Sequence, residues 1–349
     1  MGDKYLTGEK YGINNALLTY ICDGATGSEP VAEEELLPSV AYLKDNVIAD
    51  TMFDSFIFLP QPNYLFAYSG VNDMGYAPLN KNDWEKYIHQ EVFMPGMNTD
   101  ALDAAAGRMK SALSLEDYKV NVIFALFYPV RAVTSFGIVN GKELNLSDLE
   151  DRKAAVKWMV DEYISVFTEK NYKNIKLSGF YWFSESIDGG EKDPDIKEII
   201  RYITDYIRSL GLSSLWLPYF LADGYDKGRD YGIDLVAMQA NFFPSKDLPN
   251  AGNKDRLYAN AELTRKCNIG FEIEAESTSE EAIAVLKEYY RVGLEKGYVN
   301  AFHAFYMHRG PVDLYDIYRS DQSYIRSAYD ETYKFLHNTL KEEDIADKP

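Results

Sequence analysis

In the stretch Gly270 to Ser277, the residues from Phe271 onward alternate without a break between small or apolar side chains and glutamates. Because successive side chains of a β-strand point to opposite faces, one face of this stretch would carry three carboxyl groups about 7 Å apart. These belong to Glu272, Glu274 and Glu276. A strand of an antiparallel sheet with one solvated face would also explain the pattern, so the position of the stretch in the chain has to decide its meaning.

Eight apolar, β-rich runs divide the chain, and most intervals between them carry apolar residues at helical spacing. Strands that alternate with helices indicate parallel pairing through right-handed crossovers. Eight such units close a barrel, and 349 residues suit one large barrel domain. The predicted fold class is therefore α/β, a single TIM-type (β/α)8 barrel. Its predicted strands are Ala16–Ile21, Phe53–Leu59, Val120–Tyr128, Leu177–Phe183, Leu215–Phe220, Leu235–Ala240, Ile269–Ile273 and Val299–Tyr306.

The barrel is predicted over residues 14–340, after an N-terminal extension (1–13) and before an acidic tail (341–349) that is expected to be disordered. Two long loops, Gln61–Leu113 and Pro129–Leu146, follow strands two and three. They would lie on the C-terminal face, where barrel enzymes build their sites. An open doubly wound sheet is the alternative fold, but no glycine-rich nucleotide fingerprint follows the first strand.

The charge and composition limit the partners. The formal net charge of −19 argues against nucleic acid and anionic membranes, and no apolar run approaches the roughly 20 residues of a membrane span. Aromatic residues make up 14% of the chain, which suits a carbohydrate partner because a ring offers an apolar face and a polar edge. The first residues do not resemble a signal peptide. The compartment stays open, with a secreted or periplasmic protein that has lost its signal peptide as our expectation; the oligomeric state is not defined.

No metal and no cofactor is predicted. The four histidines form no zinc-binding pattern such as His-Glu-x-x-His. Two distant cysteines, Cys22 and Cys267, make neither a zinc cluster nor a disulfide framework. The sequence also lacks a Gly-x-Ser-x-Gly nucleophile elbow and a Walker loop.

Two glutamates form the candidate catalytic pair. Glu185 ends the fourth run and Glu274 lies near the end of the seventh, so in a barrel the two would face each other across the C-terminal mouth. Glycosidic bond cleavage uses such a pair: one carboxyl donates a proton to the leaving oxygen, and the other attacks the sugar or activates water. We predict Glu185 as the acid/base and Glu274 as its partner, although a surface or N-capping role for Glu185 also fits.

The sequence leaves open which acid of strand seven acts. Glu272 would lie deepest in the barrel, where an unpaired charge is costly. Glu276 could already belong to the following loop. Glu274 is therefore favoured, with the other two as alternatives.

Other residues at the predicted strand ends are candidate substrate contacts. Trp182 and Trp216 could form stacking walls for sugar rings. Gln239 or Tyr306 could donate hydrogen bonds that keep Glu274 ionised. The remaining candidates are Tyr20, Asp23, Tyr128, Tyr219, Asn241, Glu272, Glu276 and His308.

The placement of the two glutamates resembles the clan-A glycoside hydrolases, whose acid/base ends strand four and whose nucleophile ends strand seven. The strand sequences Leu177–Glu185, Trp216–Asp223, Met238–Phe243 and Gly270–Glu276 also resemble a domain-of-unknown-function family of glycosidase-like barrels. The resemblance implies hydrolysis with retention of the anomeric configuration. This sequence departs from the clan at Ser184, where clan members usually place an Asn that holds the sugar 2-hydroxyl.

Three functions fit these observations. The leading one is a glycoside hydrolase acting on a poly- or oligosaccharide, and the net negative charge favours a neutral glycan over a polyuronate. The second is a non-catalytic carbohydrate-binding barrel. The third is a scaffold protein in which the acids of strand seven pair with Arg or Lys.

Overall fold

Eight parallel strands close into one barrel in the computed structural model, which describes residues 3–21, 30–60, 78–187, 193–243 and 252–348. The strands are β1 Asn15–Ile21, β2 Ser55–Pro60, β3 Val120–Leu126, β4 Ile175–Trp182, β5 Ser213–Trp216, β6 Leu235–Met238, β7 Gly270–Ala275 and β8 His303–Met307. Each strand pairs with its neighbours in the chain, and β8 closes the ring on β1 with Asn15 opposite His303. The prediction of a TIM-type (β/α)8 barrel is confirmed.

Helices surround the strands on the outside of the barrel. They are α1 Glu33–Val40, α2 Lys81–Lys86, α3 Thr99–Leu113, α4 Leu149–Lys170, α5 Ile196–Ser209, α6 Lys254–Cys267, α7 Glu280–Lys296, α8 Pro311–Arg319 and α9 Ser323–Leu336. A π-helix, Tyr87–Val92, continues α2, and a short 3-10 helix, Gly228–Tyr231, connects β5 to β6. With helices on one face and the barrel interior on the other, β2 and β3 are buried at every position. This explains why the sequence shows them as continuous apolar runs.

The two segments predicted as long loops contain regular structure. Residues 61–77 of the first lie outside the described residues, and its remainder forms α2, the π-helix and α3. The second contains a hairpin of Gly137–Val139 with Lys142–Leu144. A further hairpin, Ala41–Lys44 with Val47–Thr51, lies between α1 and β2.

The residues before β1 attach to the N-terminal end of the barrel. The Leu6 N–H donates to the Ile269 carbonyl (3.2 Å), and the Phe302 N–H donates to the Leu6 carbonyl (2.7 Å). Leu6 and Ile13 are buried. The N-terminal extension therefore packs beneath β7 and β8, away from the mouth formed by the C-terminal strand ends.

The expectation of a disordered acidic tail does not describe residues 341–348. Ile345 is buried in the core cluster, and the Ala346 N–H donates to Glu331 Oε1 of α9 (3.0 Å). The same oxygen accepts from Lys287 Nζ of α7 (2.7 Å), and both side chains of this ion pair are buried. Composition alone indicated a solvated tail, whereas one apolar residue and a buried carboxylate fix it to two helices.

The Lys287–Glu331 pair gives a test of this packing. Lys287→Met should destabilise the protein by about 3–5 kcal/mol, because it leaves the Glu331 carboxylate buried without its cation. The double variant Lys287→Met/Glu331→Leu should recover most of that loss, since no unpaired charge is then buried. Equilibrium denaturation in urea at neutral pH measures both, and a double variant as unstable as the single one would contradict this account.

Candidate active site

A cavity of about 330 Å³ opens at the C-terminal end of the barrel. The side chains that reach it come from inward-facing positions at or just beyond the strand ends. On β7 these are Glu272 and Glu274, whereas the alternate residue Phe271 points outward and stacks on Tyr298 (centroids 4.0 Å apart). The residues that line the cavity are Leu18, Tyr20, Leu59, Tyr181, Phe183, Glu185, Gln239, Asn241, Phe243, Glu272, Glu274, Glu276 and Tyr306.

Among the glutamates that line the cavity, Glu274 accepts the most hydrogen bonds. The residue is only 4% exposed. Oε2 accepts from the Asn241 N–H (2.6 Å) and from the Tyr289 hydroxyl of α7 (2.7 Å), and Oε1 accepts from Asn241 Nδ2 (3.4 Å). Burial raises the pKa of Glu274 to about 7 although these donors oppose the shift, and the nearby carboxylates of Glu276 and Glu185 raise it further. The group therefore titrates near neutral pH.

Asn241 adopts the backbone conformation that this contact requires. Its φ of 46° lies in the left-handed region, which Asn tolerates better than most residues with a side chain. Its Oδ1 accepts from the Phe220 N–H (2.9 Å), which fixes the side chain. The residue can then present both its backbone N–H and its side-chain amide to Glu274.

Glu185 lies on the other side of the site, just after β4, and is linked to Glu274 through two amides. Gln239 Nε2 donates to Glu185 Oε1 (2.9 Å), and Gln239 Oε1 accepts from Asn241 Nδ2 (2.8 Å). The Glu185 carboxyl is open to the cavity, yet the protein around it is close enough that desolvation raises its pKa, against the effect of the Gln239 bond. We call Gln239 and Asn241 the amide bridge.

Glu272 lies one inward position below Glu274 and is 2% exposed. Its Oε2 atom is buried and has no hydrogen-bond partner in the described part of the chain. Burial raises the pKa of Glu272 well above its ordinary value, and the charges of Glu274 and Glu185 add to the shift. Burial therefore favours the protonated form of Glu272.

The rim of the cavity is aromatic and acidic. The rings of Tyr20 and Tyr306 meet edge to face with centroids 5.8 Å apart. Glu276 is exposed there; partial desolvation raises its pKa and His308 opposes the shift. His308 itself is exposed and does not line the cavity, although its N–H donates to the Ala275 carbonyl (3.1 Å).

The prediction that Trp182 and Trp216 stack against a sugar is wrong for the described cavity. Both are buried and neither lines it. Since Tyr181 points inward, its neighbour Trp182 points outward, where its ring lies 6.2 Å from that of Tyr128. Trp216 Nε1 donates to the Ser184 carbonyl (2.8 Å), so this ring supports the backbone next to Glu185.

Two further predicted contacts, Tyr128 and Tyr219, do not line the cavity, and a third lies outside the described residues. The Tyr128 hydroxyl donates to Asp193, which the buried Arg152 also binds. Tyr219 is 41% exposed and is not among the lining residues. Asp23 lies outside the described residues.

The Ser184 side chain also does not point into the cavity, where the Asn of the clan pattern would bind a sugar hydroxyl. Its hydroxyl donates to the Ser186 carbonyl (3.1 Å), and the residue is buried outside the set that lines the cavity. The position therefore cannot hold a sugar hydroxyl in the way that the clan Asn does.

The donors predicted for Glu274 were also wrong. Gln239 donates to Glu185 instead, and the described donors to Glu274 are Asn241 and Tyr289. Sequence reasoning missed Tyr289. The available signal was a Tyr on the buried face of the helix that follows β7, because a buried Tyr hydroxyl usually finds a polar partner.

The described residues contain no group of three or more His, Cys, Asp or Glu arranged to hold a metal ion. Among the helices in those same ranges, none is long and apolar enough to cross a membrane.

A family model described as "Domain of unknown function (DUF4855)" matches residues 15–334. This match confirms the resemblance to a domain-of-unknown-function family that the strand sequences indicated. Among curated proteins, no sequence matches the chain.

Several solved structures are similar at low identity. A protein from Bacteroides thetaiotaomicron provisionally assigned as an alpha-L-fucosidase shares 14% identity with a TM-score of 0.46, over 94% of each chain. A structure from the engineering of organophosphate hydrolysis activity from a weak promiscuous lactonase template shares 10% at TM-score 0.39, over 99% of this chain and 93% of that one. A dihydroorotase shares 9% at TM-score 0.37, over 94% and 67%. Likeness at this level carries no argument about activity.

The raised carboxyl pKa values predict how stability depends on pH. A carboxyl whose pKa is higher in the folded than in the unfolded protein stabilises the fold fully at low pH, and this contribution is lost as pH rises through the folded pKa. Glu272→Gln removes one such group, so at pH 8 the variant should unfold at least about 2 °C above wild type, the shift that 1 kcal/mol gives in a large domain. At pH 4.5 the gain should vanish.

Thermal unfolding followed by circular dichroism at both pH values measures this difference. Glu34→Gln, which removes an exposed carboxyl of α1, serves as the control and should show no such pH-dependent gain. A Glu272→Gln protein that is less stable than wild type at pH 8 would show that desolvation of this carboxyl does not destabilise the folded protein.

Proposed function

We propose that this chain, which belongs to the DUF4855 family, is a glycoside hydrolase that uses the carboxyl groups of Glu185 and Glu274. The observation that carries the proposal is their arrangement. The two groups come from the ends of β4 and β7, line one cavity, and are joined through the amide bridge. Such a pair of carboxyls about a cleft is what glycosidic hydrolysis requires.

Glu274 suits the role of the nucleophile. Its Oε2 atom receives two short hydrogen bonds, from the Asn241 N–H and the Tyr289 hydroxyl, and donors of this kind favour the ionised form. Oε1 carries only the longer contact to Asn241 Nδ2. In the first step this oxygen would attack the anomeric carbon and form a glycosyl ester as the bond to the leaving oxygen breaks.

Glu185 suits the role of the acid/base. Desolvation raises its pKa and so favours the protonated form. Within the described ranges only Gln239 hydrogen-bonds to this carboxyl, at Oε1, which leaves Oε2 to carry the proton that the leaving oxygen takes. In the second step the Glu185 carboxylate would accept a proton from the water that hydrolyses the ester.

The charges of the two groups favour this exchange of roles. The carboxylate of Glu185 raises the pKa of Glu274, and a pairwise electrostatic interaction acts equally on both partners. When Glu274 becomes an ester its charge disappears, so the pKa of Glu185 falls. The acid of the first step is thereby left ionised, which is the form that the second step needs for a general base.

The substrate we propose is a poly- or oligosaccharide without acidic groups. Four glutamates line the cavity, and no Lys or Arg stands among the described lining residues. A uronate, sulfate or phosphate would meet several carboxyl groups with no cation to bind it.

The two roles predict different responses to the leaving group. Glu185→Gln should slow hydrolysis of a natural glycan at least a hundredfold, but much less for an aryl glycoside whose phenol leaves without protonation. Glu274→Gln should abolish hydrolysis of both substrates, because no ester can form. Release of reducing sugar from a glycan panel and of the phenol from aryl glycosides measures this, with Glu34→Gln as the surface control.

Proton NMR of the first product should show retention of the anomeric configuration. Equal losses in Glu185→Gln on both substrate types would contradict its role as the acid. Binding of glycans without any hydrolysis by wild type would instead favour the non-catalytic carbohydrate-binding barrel.

The pH profile gives a second test of Glu274. Because its pKa is raised to about 7, kcat/KM should increase with pH through an acid limb near that value. The Tyr289 hydroxyl bond lowers this pKa, so Tyr289→Phe should move the acid limb to higher pH by about 1 unit, the size expected for one hydrogen bond to a charged group. An acid limb that stays in place or moves to lower pH would remove Glu274 from this role.

A further inference from the structure

Glu272 is the acid of the cavity for which the proposed mechanism has no use. The strand register explains why it has no partner: Glu272 lies opposite Ala304 of β8, whose methyl group offers no donor. The side-chain amides that line the cavity are already engaged, since Gln239 and Asn241 bond to Glu185, to each other and to Glu274. A buried carboxyl without a donor is costly, and nothing in the surrounding described structure relieves that cost.

Two buried carboxylates elsewhere in the described structure are paired with buried cations. Asp193 binds Arg152, and Glu331 binds Lys287. The cavity is different because Glu185, Glu272, Glu274 and Glu276 line it together, and its described lining includes no Lys, Arg or His. A concave site with charges of one sign concentrates counter-ions from solution.

A divalent metal ion fits this cavity poorly. Inward positions two residues apart on a strand are about 7 Å apart, and Oε2 of Glu274 is occupied by two donors. The described carboxyl groups form no metal-holding group of three. A single organic cation fits better, because its N–H groups and its one positive charge supply what the buried Glu272 carboxyl lacks.

We infer that the cavity recognises a protonated amine, carried by a sugar with a free amino group, and that Glu272 selects it. This rests on the proposed function for the sugar, but recognition of the amine requires binding alone. An ammonium group would give the orphaned Glu272 carboxyl both a donor and a charge partner, whereas a hydroxyl or N-acetyl group can donate a hydrogen bond but brings no charge.

Proton release is a consequence of this recognition. In the free protein burial and neighbouring acids raise the pKa of Glu272, and a bound ammonium lowers it, so a proton should leave as the amine binds. A neutral sugar should release none. The titratable groups that face Glu272 are Glu274 on β7, Glu185 and Tyr181 at β4, Tyr20 on β1 and Tyr306 on β8.

The test uses matched sugars that differ only at C2: glucosamine, galactosamine and mannosamine against glucose, galactose and mannose. The shift of the thermal unfolding midpoint and isothermal titration at pH 6, at one fixed ionic strength, report binding without hydrolysis. At least one amino sugar should bind tenfold or more tightly than its hydroxyl twin and than its N-acetyl derivative. Titration in two buffers of different ionisation enthalpy should show proton release for that amino sugar.

Two variants separate Glu272 from the general negative field. Glu272→Gln should reduce the preference for the amine to less than threefold, whereas Glu276→Gln, which makes the same substitution at the exposed rim, should reduce it less. Equal losses in the two variants would overturn the assignment to Glu272. Failure of every amino sugar to bind more tightly than its hydroxyl twin, or binding without proton release, would overturn the inference itself.

The outcome is distinguishable from that of the hydrolase proposal. Hydrolysis of neutral glycans without an amine preference would leave the glycoside hydrolase standing and remove this inference. An amine preference without hydrolysis of any glycan, including amino-sugar glycans, would support recognition of the amine and remove the glycoside hydrolase proposal.

Discussion

The structure depends on how a closed barrel accommodates three carboxyl groups, two on the inward face of β7 and one just beyond its C-terminal end. Solvent cannot reach all of them, so each needs donors, a cation or a proton. Each of the three acids is accommodated in a different way. Glu276 reaches the exposed rim, Glu274 receives donors from Asn241 and Tyr289, and Glu272 lies where burial favours its protonated form. Burial of the three acids thus increases from the rim of the cavity to its interior.

The second layer of residues makes this gradient rigid. Asn241 holds its left-handed backbone through the bond from Phe220, and Trp216 supports the backbone beside Glu185. Further out, the buried Arg152 and Asp193 pair joins α4 to the segment after β4. Trp216 and Tyr128, which the sequence predicted as substrate contacts, therefore support the residues around the site instead. A site in which each acid needs a particular environment requires such supports, because a small displacement would change its pKa.

The parts of the fold that follow from periodicity could be predicted from the sequence. The alternation in β7 fixed the inward direction of Glu274, and the same parity brought Gln239 and Asn241 to the cavity. Residues 179–183 at the end of β4 gave no such phase, because after Gly179 every side chain is aromatic, so the outward direction of Trp182 could not be read. Tyr289 was hidden because a contact between a helix and the next strand end depends on tertiary packing.

Desolvation of the buried acids also links recognition to chemistry. Glu272 and Glu274 lie about 7 Å apart on one strand, so a cation bound at Glu272 also lies near Glu274. Its charge opposes the effect of burial that raises the pKa of Glu274 to about 7, and so converts more of that carboxyl to the ionised form. A neutral sugar bound in the same place would leave the pKa unchanged or raise it by excluding water. The substrate that best satisfies the buried acid would thus be the one that best ionises the nucleophile, and selectivity would appear in the rate as well as in binding.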